Sequence, residues 1–255
     1  MRYRFLIGAL AVAGSGYLLR RLAHRGGATD AEARMPLPGD GVVPYPTEQT
    51  THGVTIEATP ADIWPWLVQM GYYRAGWYTD ATGWWDQWID PFLFRLLSKE
   101  ERGEAKPRTE RSADHIIPEF QTLTVGDVVE DGPPGTAYFI VADLRPQRAL
   151  VLRSTTHVRY IVPPALRNNP GVGIWCDFTW AFILNPLDEH RTRLLLRTRA
   201  DYGPTWFRLL FTPLLYLMEW LMPPLMLSRI KARVEHANAS KKEVRDERAV
   251  STRAT

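Results

Sequence analysis

Cysteine is nearly absent. Cys176 is the only one in 255 residues, so no internal disulfide can form and no zinc site built on cysteines is possible. Histidine is sparse too: the six, at 24, 52, 115, 157, 190 and 236, are scattered without metal-ligand spacing, and no metal is expected. No Gly-rich phosphate loop occurs beyond the short Gly171-Val-Gly173, and no G-x-S-x-G elbow is present, so a nucleotide site and an activated serine are unsupported. No cofactor is expected. A strong charge of one sign is also missing: 31 Lys and Arg against 28 Asp and Glu leave +3, much of it in the two ends. Nucleic-acid binding is therefore not indicated.

What the chain has in excess is tryptophan in one place. Residues 51–91, THGVTIEATPADIWPWLVQMGYYRAGWYTDATGWWDQWIDP, hold six of the ten. Val54, Ile56 and Ala58 alternate with Thr55 and Glu57, the period of a half-buried strand. Thr59-Pro60 stops the pattern and starts a helix, with Thr59 as N-cap and Pro60 in the first turn. Ile63, Trp66, Leu67 and Met70 give that helix an apolar face, and Gly71 ends it. Tyr72, Tyr73, Trp77, Tyr78, Trp84, Trp85 and Trp88 follow, each ring able to bury roughly 150–250 Å². They form either a plug beneath a sheet or the aromatic wall of a ligand cavity.

Residues 5–19, FLIGALAVAGSGYLL, are uncharged and bracketed by arginines, as in a membrane anchor. Fifteen helical residues rise about 22 Å, short of the roughly 30 Å hydrocarbon core, and snorkelling arginines can lengthen the span. A cleaved signal peptide is the rival, with Ala11-Val12-Ala13 imitating its cleavage site. Arg20, Arg21, Arg25 and Arg34 slightly outnumber the charges before the run, so the domain after it is expected to be cytoplasmic. Residues 26–50 have the Gly, Pro and Asp content of a linker.

Further on, residues 92–102 suggest a second short helix. Strand signals then recur at 137–144, 149–154, 174–184 and 192–201, separated by turn clusters such as DGPPG and NPLDEH, which reads as an antiparallel meander. On the strand 174–184, Phe178, Trp180, Phe182 and Leu184 share one face. A long, very apolar helical region runs from Gly203-Pro204 to about His236, and residues 209–227 carry Glu219 as their one charge. Either they cross a membrane or they form a helix clamped in a curved sheet; three prolines and Glu219 favour the clamp. Residues 237–255 read as a charged, disordered tail.

The strings VTIEATPADIWPWLVQMG, GWYTD, ADHIIPEFQTLTVGDVV, RALVLRS and WAFILNPLDEHRTRLLLRTR resemble the bacterial polyketide cyclase/dehydrase-like branch of the START and Bet v 1-like (SRPBCC) superfamily, over residues 51–236. The linker after an apolar N-terminus is similar to its membrane-anchored members. The resemblance implies an α+β helix-grip fold, a curved antiparallel sheet wrapped around a long C-terminal helix, with an anchor at 1–25, a linker at 26–50, the domain at 51–236 and a tail at 237–255. It also implies a mainly apolar cavity. The expectation is a single-pass protein of a bacterial cell membrane that binds or carries a hydrophobic, lipid-like small molecule, lined by Trp66, Trp77, Tyr78, Trp84, Trp85, Trp88, Trp180 and Phe182. The alternatives are a cofactor-independent cyclase or hydratase and a structural or partner-binding membrane protein with a filled cavity. Acid/base candidates are Asp80, Asp86, Asp114, His115, Glu119, Asp177 and Glu219, with His115, Glu119 and Glu219 carried forward. Glu219 faces solvent, pairs with an arginine such as Arg197 or Arg199, or sits in the cavity, where desolvation favours the neutral carboxyl, and pairing or exposure is the expectation. Oligomeric state and ligand identity are not readable.

Overall fold

The computed structural model describes residues 26–79, 111–132 and 136–253, together with Phe92, Arg95, Leu97 and Lys99. The expected anchor at 5–19, most of the helix expected at 92–102, and Trp84, Trp85, Trp88, Asp80 and Asp86 lie outside them.

Six strands form one antiparallel sheet in the order β1-β6-β5-β4-β3-β2: β1 (Glu48–Ile56), β2 (Val128–Glu130), β3 (Tyr138–Arg145), β4 (Ala149–Ser154), β5 (Trp175–Pro186) and β6 (Thr192–Gly203). The hydrophobic periods place the four later strands close to where they are found. From β2 to β6 each strand pairs with the next in sequence, and β1 then closes on β6, with Thr50 opposite Thr198 and Ile56 opposite Thr192. Ahead of β1, α1 (Asp30–Arg34) interrupts the expected linker; Thr29 and Glu32 form a capping box, each side chain accepting the other's backbone N–H. After β1, α2 (Pro60–Val68) starts as read: Thr59 caps the Asp62 N–H and Pro60 occupies the first turn. Two short helices, α3 (Val158–Ile161) and α4 (Pro164–Arg167), join β4 to β5.

The long helix α5 (Thr205–Arg253) lies against the inner face of β1 and β6. It is the expected helix-grip arrangement of a curved sheet around a C-terminal helix. The helix also continues through 237–253, the residues read as a tail. Ala, Lys, Glu and Arg are good helix formers, and adding turns to a helix already fixed by packing avoids the nucleation cost.

The inner core joins Ile56, Ile63, Trp66, Leu67, Phe139, Leu150, Leu152, Phe182, Leu194, Leu196, Met226 and Ile230. A second, smaller core lies on the other side of the same strands, where Leu37 covers Ala149, Val151, Ala181, Ile183 and Leu195. Residues 26–46 therefore run over the domain surface, as their composition suggests, and form a strap across the outer face. Arg193 holds Glu32 with two bonds, at 2.7 and 2.9 Å. Arg197 donates to Thr51 Oγ1, Met35 O, Asp40 Oδ2, Glu32 O and Ala33 O at 2.6–3.1 Å. Arg199 reaches Val43 O and Pro44 O.

Candidate functional site

The register of β1, β6 and β5 lays Thr50, Thr198 and Trp180 side by side on the inner face, with Leu152 of β4 next in the row. One step along β1, His52 falls in line with Leu196 and Phe182. One step the other way lie Ala200 and Phe178, and then Tyr202 and Cys176. Large rings and small side chains thus alternate along these rows, and α5 cannot lie flat on them. The space left is a cavity of about 150 Å³, walled by Trp77, Phe178, Trp180 and Tyr202 and floored by Phe211, Leu215, Met218, Met222 and Met226 of α5. At this volume an apolar cavity holds a benzene-sized guest.

Trp77 reaches the cavity because the backbone around it is turned by two left-handed residues, Gly76 at φ 82° and Tyr78 at φ 57°. Tyr78 tolerates that conformation through its contacts: its hydroxyl donates to Trp66 O and accepts from Gln69 Nε2, its N–H donates to Ser112 Oγ, and Arg233 lies over its ring. Gln69 itself is completely buried, and its side chain also accepts the Ile117 N–H and donates to His115 O. The indole of Trp77 packs edge-on against Trp180 at 5.4 Å and Phe139 at 5.6 Å.

Several titratable side chains meet this cavity. Glu219 is buried, and its Oε2 accepts from Thr50 Oγ1 and stands 3.4 Å from His52 Nε2 without hydrogen-bonding geometry. The expected pairing of Glu219 with Arg197 or Arg199 is not found, because those arginines point to the opposite face of β6 and bind the strap. At the other end Asp131 Oδ2 meets His157 Nε2 at 2.7 Å, and His157 Nδ1 meets Ser154 Oγ at 2.7 Å. Ser154 is buried and accepts the Thr156 N–H, and it is not part of the cavity wall, so this row does not present a nucleophile. Asp201 lies at the rim, paired with Arg208 at 3.1 Å. The thiol of Cys176 is in the wall, and burial raises its pKa to about 11, which keeps it protonated and unreactive at neutral pH.

Two further residues of the wall carry an unpaired polar atom. Trp77 and Thr198 line the cavity, and their Nε1 and Oγ1 atoms are buried with no hydrogen-bond partner among the described residues. A buried polar atom left this way costs about 1–3 kcal/mol.

Of the residues singled out from sequence, Trp77, Trp180 and Glu219 line the cavity. Trp66, Tyr78 and Phe182 are packed in the core beside it. His115 is exposed and bonded to the equally exposed Asp114, Glu119 is exposed on a 3-10 turn (Pro118–Phe120), and Asp177 pairs with Arg153. None of these four contributes to the wall; among the described residues its carboxyl and imidazole acid/base groups are Asp131, His157, Glu219 and, at the rim, Asp201. Among the described residues no cluster of His, Cys, Asp and Glu could hold a metal ion.

The face of α5 turned away from the cavity is also apolar. Trp206, Leu209, Leu210, Leu214, Leu217 and Trp220 are exposed, Leu209 and Leu210 by 75% and 72%. By length and composition this part of α5 could cross a membrane, although one face of it lies on the sheet.

No family model matches the chain, and no curated protein matches it. Among solved structures it is similar to a protein from Mesorhizobium loti, at 11% identity over 74% of this chain and 98% of that one, with a TM-score of 0.38. It is similar to a point mutant of norcoclaurine synthase from Thalictrum flavum in complex with a transition-state analogue, at 13% identity over 70% and 94% with a TM-score of 0.30. A third likeness is the Aha1 dimer from Colwellia psychrerythraea, at 16% identity over 70% and 98% with a TM-score of 0.28.

Proposed function

We propose that the chain is a membrane-tethered protein of Bet v 1-like type that binds and carries a hydrophobic small molecule. The observation that carries this reading is the aromatic cavity between β5, β6 and α5, together with the exposed apolar face on the back of the same helix turns. A molecule burying about 300 Å² of apolar surface gains roughly 7 kcal/mol before association costs, enough for binding without a strong polar motif. The volume favours a compact ring system over a full acyl chain.

The tether and the helix face support each other. Gly26 lies in the gap between His52 and α5, where an added Cβ would come within 3.0 Å of Pro224 Cγ. Six residues separate the apolar run 5–19 from Gly26, and they reach at most about 20 Å. A bilayer holding 5–19 would therefore stay within about 20 Å of the Pro224 turn of α5, and the exposed Leu209, Leu210 and Leu214, about 15–22 Å further along the same helix, offer an apolar path between lipid and cavity.

A second reading, acid/base catalysis of the cyclase or hydratase kind, is favoured by the His157–Asp131 pair in the wall. The deciding experiment extracts full-length protein from membranes and identifies co-purified small molecules by mass spectrometry. An unchanged compound recovered in stoichiometric amount supports the carrier. Conversion of that compound, lost in His157→Gln with affinity kept, replaces the carrier by an enzyme. Release of the protein by carbonate sinks the tether.

A further inference from the structure

We infer that the cavity takes an uncharged apolar compound bearing a hydroxyl group, held by Glu219, Thr198 and Trp77, and rejects the carboxylate or phosphate counterpart of the same compound. This rests on the binding reading above and names the class of ligand.

The wall decides the sign of the head group. Asp131, Asp201 and Glu219 are in it, and among the described residues no lysine or arginine is. An anionic head would be buried beside carboxylates with no lysine or arginine to meet it, since His157 of the wall is already bonded to Asp131 and Ser154 and His52 faces Glu219. The orphaned atoms decide its chemistry. Trp77 Nε1–H can only donate, Thr198 Oγ1 can do both, and a carboxylate can only accept. Among the described residues Thr50 is the only hydrogen-bond donor to Glu219. A hydroxyl oxygen accepts from Trp77 or Thr198 while its proton goes to Glu219 or Thr198, so one group serves the whole set. An ammonium would satisfy Glu219 and leave the indole N–H idle.

Geometry keeps these atoms in one neighbourhood. Thr50 and Thr198 are paired residues of β1 and β6, Thr198 is paired with Trp180, and the Trp77 ring stands against Trp180. Glu219 reaches the same row through Thr50. Thr179 Oγ1, on the outer face of β5, is also buried without a partner, so burial alone does not select for partners. Thr198 and Trp77 differ from it in lining the cavity.

The test is calorimetric titration of the full-length protein in lipid nanodiscs, against protein-free discs, with 2-naphthol, naphthalene, 2-naphthoate and the 2-naphthylmethylammonium ion. 2-Naphthol should bind at least about tenfold tighter than naphthalene, with the two ions weaker still. In Thr198→Val the gap between 2-naphthol and naphthalene should shrink about fivefold or more, while the melting temperature holds or rises because an unpaired oxygen has become a methyl. Glu219→Gln, which keeps the shape and loses the full acceptor, should also narrow the gap. Equal affinity for 2-naphthol and naphthalene overturns the head-group assignment and leaves the binding reading intact, and so does naphthoate or the ammonium ion binding as tightly as 2-naphthol. If none of the four binds, and neither do phenol and benzene, whose size the cavity volume fits, the binding reading falls and takes this inference with it.

Discussion

Arg197 and Thr198 are neighbours in sequence on opposite faces of β6, and they are treated in opposite ways. The Arg197 guanidinium is 1% exposed and makes five hydrogen bonds, four of them to the strap. The Thr198 hydroxyl is 4% exposed and makes none. A buried charge survives only with near-complete pairing, so the outer side of the strand is committed to holding residues 26–46 in place. A buried hydroxyl left idle at a cavity wall contributes nothing to the empty protein. The strap face therefore supplies stability, and the cavity face gives some of it up for an occupant.

The largest expected break in this contrast comes from Arg197→Met. It removes the guanidinium from Met35 O, Glu32 O and Ala33 O and leaves Asp40, among the described residues, with only the Leu37 N–H and the more distant Arg199, and the loss should reach about 3 kcal/mol in urea unfolding of the full-length protein. A loss under 1 kcal/mol would mean that the strap is merely laid on the sheet. On the other face, Trp77→Ala should weaken ligand affinity by about 1–3 kcal/mol, measured by titration with the co-purified compound. Unchanged affinity would remove Trp77 from the site.

The third prediction concerns pH. Glu32 has its pKa lowered from 4.5 to about 2, chiefly by the Arg193 hydrogen bond and against the opposing effect of burial. A carboxyl depressed in the folded state contributes stability that is fully present above about 4.5 and is lost as pH falls towards 2. With partial solvent screening the loss should be on the order of 1–2 kcal/mol. Glu32→Gln should flatten that acid limb; an unchanged limb would show that the strap does not titrate. The smallest effect sharpens the contrast best: Thr198→Val should gain about 1 kcal/mol of stability, where Arg197 substitutions lose it.

Much of this was visible locally. Thr59-Pro60, the strand alternation and the apolar stretch after Gly203-Pro204 identified α2, the meander and α5. Other signals were present but unused. Thr29-x-x-Glu32 is a capping box inside the supposed linker, and counting back by twos from Ile56 and Val54 puts His52 and Thr50 on the inner face with them. His115 and Glu119 are weak candidates even in sequence, because Pro118 between them breaks helical facing and favours loop hydrogen-bonders; both are exposed, and burial, which decides whether such a pair can act in a cavity, is not written in the sequence.

By itself the sequence determined the elements and their apolar faces, since helix and strand periods are written over a few consecutive residues. It also set the expectation of no metal or nucleotide site, through the scattered histidines and the missing Gly-rich loop. Only the tertiary structure decided which polar groups meet. Arg197 and Asp40 are 157 residues apart, and Thr50 and Glu219 are 169 apart. Such pairs depend on strand register and on where α5 comes to rest, quantities set by the whole packed core and recorded in no single stretch of chain.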